Sequence, residues 1–161
     1  MTKRILIIGG YGNFGSYISK TLAKESNITV IIAGRSVGKA QRFINTIEAA
    51  NTPEAVALDI TKNLDEALQT IKPDIVIHTS GPFQGQSYDV AESCINSGVH
   101  YIDLADAREF VSGIGALNDA AKKNKVLAVS GASSVPCLTS ALVDYYLPQF
   151  ETLESLDYGI T

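Results

Sequence analysis

The chain is poor in cysteine: Cys94 and Cys137 stand in unrelated contexts, without metal-ligand spacing. That argues against a disulfide framework and against a zinc site, and it fits a reducing cytosol. Histidine is as scarce, and neither His78 nor His100 joins a metal or triad constellation. No Lys/Arg-rich block occurs and the net charge is −4, which disfavours a nucleic-acid footprint or a basic membrane patch and leaves small molecules as partners. No apolar run approaches the roughly 20 residues of a membrane span, and signal-peptide anatomy is absent. The expectation is a soluble, cytoplasmic protein. Internal repeats and low-complexity segments are missing too. No tyrosine has Lys four residues later, so the proton-transfer pair of a short-chain dehydrogenase is lacking.

What is present begins with Gly9-Gly10-Tyr11-Gly12-Asn13-Phe14-Gly15, between the apolar run Ile5–Ile8 and a stretch of helical spacing. Gly10, Gly12 and Gly15 fit G-x-G-x-x-G. In such a turn the first glycine allows the tight bend, the second admits a pyrophosphate close to the backbone, and the third lets helix pack on strand. The following helix would aim its first amides at the phosphates. Phe14, Ile18 and Leu22, with Tyr17 and Thr21 beside them, form the stripe expected to lie on the sheet.

At 161 residues the chain suits one domain, able to bury about 70% of its unfolded surface. Ile5–Ile8 is an unbroken apolar run rather than an alternating one, which predicts a parallel strand covered on both faces, and Ile28–Ala33, Ala55–Leu58, Ile75–His78, His100–Leu104 and Val126–Val129 read as five further strands. Helical spacing separates them. Ser36 can cap a helix carrying Ala40, Phe43, Ile44 and Ile47; Leu64, Ala67, Leu68 and Ile71 make the next; Ala91, Cys94 and Ile95 the one after, closed by Gly98. Phe110, Ile114, Leu117 and Ala121 predict one further helix, and Leu138, Ala141, Leu142 and Tyr145 a last one reaching Pro148. The expected fold is an α/β doubly wound parallel sheet in the order 3-2-1-4-5-6.

In such a sheet the carboxyl ends of the strands form the ligand crevice. Arg35 follows strand two, where enzymes selecting NAD commonly carry an acid for the ribose 2′-hydroxyl. Asp59 ends strand three, and the small-residue turn Thr79-Ser80-Gly81-Pro82-Phe83 ends strand four, either beside a nicotinamide ribose or as an ordinary loop. Asp103, in a buried strand, is either a satisfied structural group or a site residue. His78 reads as a hydrogen-bonded core imidazole, His100 as a turn residue. The tail alternates: Leu156, Tyr158 and Ile160 against Ser155, Asp157 and Gly159. It reads as a strand of another sheet, so residues 1–150 are expected to form the nucleotide domain and 151–161 to begin a second one.

Gly34-Arg35-Ser36, Ser80-Gly81-Pro82-Phe83, Tyr101-Ile102-Asp103-Leu104 and Gly131-x-x-Ser134-Val135-Pro136 together resemble the saccharopine dehydrogenase-like family, over nearly the whole chain. The resemblance implies an NADP-binding Rossmann domain joined to an α/β domain that carries substrate contacts and a homodimer interface. It implies that Gly10, Tyr11, Gly12, Asn13, Phe14 and Gly15 form the phosphate turn, that Arg35 and Ser36 meet the adenosine ribose, and that Asp59 and Ile60 edge the adenine. By the same resemblance Ser80, Gly81 and Pro82 lie on the nicotinamide side, and Asp103 and Ser134 near substrate. Ala105-Asp106-Ala107 departs from the Gly-Glu with which many relatives continue, so the substrate stays open. Two functions are compatible with these residues: an NADP-dependent oxidoreductase working on a C–N or C=O carbon, or a non-catalytic NADP(H) sensor. A methyltransferase is disfavoured, since Gly15 falls where a pyrophosphate turn needs it.

Overall fold

A computed structural model describes residues 2–62 and 64–159. Six parallel strands form one sheet in the order β3-β2-β1-β4-β5-β6. They are β1 (Lys3–Ile8), β2 (Ile28–Gly34), β3 (Glu54–Ala57), β4 (Ile75–His78), β5 (His100–Asp103) and β6 (Ala128–Val129). The helices between and after them are α1 (Asn13–Leu22), α2 (Val37–Ile44), α3 (Leu64–Ile71), α4 (Asp89–Asn96), α5 (Arg108–Gly113), α6 (Asn118–Asn124) and α7 (Thr139–Tyr146). The doubly wound order read from the apolar runs is the order found.

Alternation along β1 explains the layers. Leu6 and Ile8 pack with Val76, Tyr101, Leu68 of α3 and Cys94 of α4 on one face; Ile5 and Ile7 pack with Val30, Ile77 and Ala23, just past α1, on the other. Fully burying one such aliphatic side chain stabilises the fold by about 1.5–3 kcal/mol. Ser36 caps α2 as its sequence suggests, its Oγ accepting from the Lys39 amide at 3.3 Å. Gly98 takes φ +71° just beyond α4, and the Val99 amide donates back to the Cys94 carbonyl.

Several expectations are corrected. The stripe that α1 lays on the sheet is not headed by Phe14 and Tyr17, which are 72% and 75% exposed. Its buried positions are Gly15 and Ser19. The helix approaches the β1 turn so closely that only small residues fit, and Ser19 Oγ donates to the Gly10 carbonyl at 2.9 Å. The single helix expected from Phe110 to Ala121 is broken into α5, a 3-10 turn at Ile114–Leu117, and α6. Tyr88 causes the break physically. Its hydroxyl donates to the Phe110 carbonyl at 2.7 Å and fills the space beside Gly113, so the chain tightens there. Strand β3 begins one residue earlier than its apolar run, and β6 is shorter than Val126–Val129. Helix α2 ends at Ile44, so Ile47 joins the core from beyond the helix. The last helix starts only at Thr139, after a wide turn over Ser134–Leu138 in which Val135 is extended.

The strand expected in the tail is not formed among residues 151–159, and Ile160 lies outside the described residues. A strand needs a partner ladder, and residues 153–158 instead lie beside α7, with Leu156 and Tyr158 exposed. None of the residues of α7 is buried. Among the described residues no helix is long and apolar enough to cross a membrane.

Candidate functional site

The turn after β1 is fixed by backbone. Gly9 N donates to the Ala33 carbonyl at 2.9 Å, Gly10 N to Ile7 O at 3.1 Å, and Gly12 N to Gly9 O at 2.8 Å. Gly12 is the N-cap of α1, no side chain caps the helix, and no acid stands in its first turn. The amides of that turn therefore remain available to an anion. A Cβ on Gly10 would lie 2.9 Å from Ile7 O, and one on Gly15 would run into the Gly9 carbonyl. At Gly12 only Gly9 O stands near, at 3.1 Å. The tight bend and the close packing are thus imposed at Gly10 and Gly15, and Gly12 leaves the backbone approachable. Gly9, not singled out in the motif, has φ +79° and a Cβ there would meet Ser80 Oγ at 2.6 Å. Its place directly after a buried strand was the available signal.

Above these turns a cleft of about 1220 Å³ runs over the carboxyl ends of β1 to β4. Tyr11, Gly12, Arg35, Asp59, Ile60, Ser80 and Gly81 line it. Gly10 and Gly15 lie behind the lining, Asn13 and Phe14 open α1 with exposed side chains, and Ser36 Oγ caps α2 by accepting from the Lys39 amide. Pro82 adjoins the cleft, its carbonyl accepting from Gln86 Nε2 at 2.5 Å. Ser134 and Asp103 do not line the cleft. Thr61, Lys62 and Gln86 do, and sequence reading missed them because loop residues after a strand carry no periodicity.

At the β3 end, Asp59 Oδ1 accepts from Thr61 Oγ1 at 2.8 Å and Thr61 N at 3.1 Å, while Oδ2 lies 3.5 Å from Lys62 Nζ. The Thr61 hydrogen bonds first, and the Lys62 charge after them, hold the Asp59 carboxyl below its ordinary value. This carboxylate is engaged within its own loop. Arg35 and Lys62 bring two cations to the same end of the cleft.

Behind β4 and β5 lies a polar cluster. Asp103 is fully buried, and its Oδ1 accepts from Ala105 N, Ser130 Oγ and Gly131 N, each at 2.9 Å. It thereby ties the end of β5 to the loop after β6. His78 is its register neighbour, and His78 Nδ1 lies 3.3 Å from the Tyr101 hydroxyl. His78 Nε2 and Asp103 Oδ2 are buried without hydrogen-bond partners among the described residues. Burial pushes the His78 pKa down to about 4, so the ring is neutral near pH 7, and Phe83 packs edge-on against it at 5.2 Å. Burial likewise raises the Tyr101 phenol, and pushes the Cys94 thiol up to about 12, leaving it inert. His100 Nδ1 accepts from the Leu127 amide at 2.9 Å, holding β5 to the chain entering β6. Among the described residues no group of three His, Cys, Asp or Glu could hold a metal ion.

A parallel sheet with this order, a glycine turn opening a helix, and a cleft over the carboxyl ends of the adjacent β1 and β4, where the strand order reverses, define a Rossmann dinucleotide-binding domain. Residues 5–129 match the saccharopine dehydrogenase NADP binding domain, and the chain belongs to that family. It is an NADP-binding domain.

Solved structures agree on the fold. Saccharopine dehydrogenase (L-Glu forming) from Saccharomyces cerevisiae superposes with a TM-score of 0.70 at 20% identity, over 91% of this chain and 32% of that one. The chain thus spans about a third of the length of the yeast enzyme. Biliverdin reductase from Synechocystis sp. PCC 6803, in complex with biliverdin and NADP+, matches with a TM-score of 0.57 at 14% identity, over 90% of this chain and 42% of that one. The FabG β-ketoacyl-[ACP] reductase from Bacteroides thetaiotaomicron gives 0.60 at 15% identity, over 80% and 75%. No curated protein sequence matches the chain.

Proposed function

We propose that the chain is the cofactor half of an NADP-dependent oxidoreductase acting on a C–N or C=O carbon of a small metabolite. A second domain, beginning near residue 151, would hold the substrate and the homodimer interface. The observation that carries this reading is the cleft itself, with approachable glycine backbone at its centre and Arg35 where an NAD enzyme would place an acid. The residues fit the cofactor: a Cβ at Gly12 is absent where a diphosphate must approach, and the first turn of α1 offers uncapped amides.

When bound, NADP(H) supplies or accepts a hydride. The chain's own residues bind and orient it. The amides of α1 hold the diphosphate, Arg35 pairs with the 2′-phosphate, and the Asp59–Ile60 backbone edges the adenine, since the Asp59 carboxylate is occupied by Thr61 and Lys62. Ser80, Gly81 and Pro82 border the nicotinamide side. Asp103 acts from beneath by fixing the Ser130–Gly131 turn, on the chain leading to Ser134.

Titration of NADPH fluorescence tests the reading. NADPH is expected to bind about tenfold or more tighter than NADH, the worth of one partly exposed charge-assisted hydrogen bond. Arg35→Ala should narrow that gap chiefly by weakening NADPH. Turnover is expected only with the second domain present, because positioning substrate against nicotinamide can account for about 7–11 kcal/mol of a barrier. Failure of the chain to bind NADPH would overturn the site, and turnover by the 161-residue chain alone would overturn the two-domain reading. A longer protein that binds NADPH but turns over with no imine or carbonyl would be a sensor.

A further inference from the structure

Tyr11 belongs to the glycine turn after β1, yet its side chain is built into the turn after β2. A Cβ on Gly34 would lie 2.5 Å from the Tyr11 hydroxyl and 2.7 Å from Cε1 and Cζ, so the ring occupies the place a side chain would take there. Ile32, Ala40 and Ile44 form the buried cluster on which the ring packs. The Tyr11 hydroxyl accepts a hydrogen bond from the Ser36 amide at 3.2 Å. These contacts fix the oxygen one residue from Arg35, on the cleft wall.

The direction of that hydrogen bond decides what the hydroxyl can still do. A phenol whose oxygen accepts from an amide keeps its own O–H to give. Among the described residues no acceptor takes it. The diphosphate is served by α1, and the edge at Gly34-Arg35-Ser36 is where the adenosine ribose falls in this fold.

We propose that the Tyr11 hydroxyl donates to the adenosine 2′-phosphate, which makes Tyr11, with Arg35, a determinant of NADP(H) over NAD(H). The inference rests on the NADP site proposed above. A 2′-phosphate is a charged acceptor and takes such a hydrogen bond about twice as strongly as the neutral 2′-hydroxyl of NAD. Gly34 serves the same end, because any side chain there would displace the ring.

Tyr11→Phe keeps the ring over Gly34 and removes the hydroxyl, which is both the donor to the phosphate and the acceptor of the Ser36 amide, and Tyr11→Met provides a second variant that still fills the space. Fluorescence titration should show NADPH weakened about tenfold in Tyr11→Phe, with NADH changed about twofold at most. Competition by 2′,5′-ADP should weaken in parallel and competition by ADP should not. Without ligand the melting temperature should fall by no more than about 2–4 °C, the loss of the single hydrogen bond from the Ser36 amide. Equal losses for NADPH and NADH, or no loss for either, would overturn the proposal. If Arg35→Ala weakens NADPH while Tyr11→Phe does not, the NADP site stands and the role of Tyr11 falls. If the parent chain binds no NADPH, the site itself fails.

Discussion

Residues 3–129 and residues 134–159 are built on opposite terms. In the first region the four inner strands β1, β2, β4 and β5 carry buried residues, and each helix from α1 to α6 buries at least one residue. In the second, none of the residues of α7 is buried, and Leu142, Tyr145, Phe150 and Leu156 stand exposed. Charge divides the same way. From residue 126 on the sequence carries Asp144, Glu151, Glu154 and Asp157 but no Lys or Arg, so the whole net charge of −4 lies there. Stability and the cleft therefore belong to the first region. The second is an apolar, acidic surface that contributes little burial to the fold.

The comparison breaks first at Leu68, 2% exposed between α3 and the sheet. Leu68→Ala should cost about 2–5 kcal/mol in urea unfolding, the range for a buried leucine that leaves a cavity. A cost near zero would mean that the first region does not hold the stability.

Acid sharpens it next. His78 has a folded pKa of about 4, below its ordinary 6.5, so the unfolded chain binds the proton more readily between these values. Its contribution is fully present above about pH 6.5 and is lost as pH falls toward about 4, reaching roughly 3 kcal/mol. Melting curves from pH 7.5 to 4.5 should fall more steeply for the parent than for His78→Leu. Parallel slopes would show that this ring does not titrate on unfolding.

The smallest effect is expected in the second region. Leu142→Ala, at a side chain 48% exposed, should change unfolding free energy by less than about 0.5 kcal/mol. A cost like that of Leu68→Ala would show α7 packed against the domain in solution and erase the contrast between the regions.

The same division marks what was legible in the sequence. The runs Ile5–Ile8, Ile28–Ala33 and Ile75–His78 announced buried parallel strands because each is apolar on both faces, and alternation of strands with helices then admitted few sheet orders. Gly10, Gly12 and Gly15 carried their roles in their spacing. The misreadings involve contacts between residues distant in sequence. Phe14 and Tyr17 have helical spacing, but the approach of α1 to Gly9 favoured the small Gly15 and Ser19 instead. Tyr88, more than twenty residues away, breaks the helix after Phe110. Lys62 reaches the cleft through a loop closed by Thr61 on Asp59, and no periodicity marks it. The alternating tail looked like a strand because its pattern is local, whereas a ladder partner is not.

One consequence concerns the order in which substitutions can be accepted. Thr79 Oγ1 would lie 2.8 Å from a Cβ at either Gly9 or Gly15, while it donates to the Ile8 carbonyl at 2.8 Å. Losing that hydroxyl would clear one obstacle to both glycines, yet neither becomes replaceable. Gly15 still faces the Gly9 carbonyl, and Gly9 still needs its left-handed φ of +79°. A change at position 79 therefore does not open positions 9 and 15 to a side chain, and those two glycines must be kept whatever stands at 79.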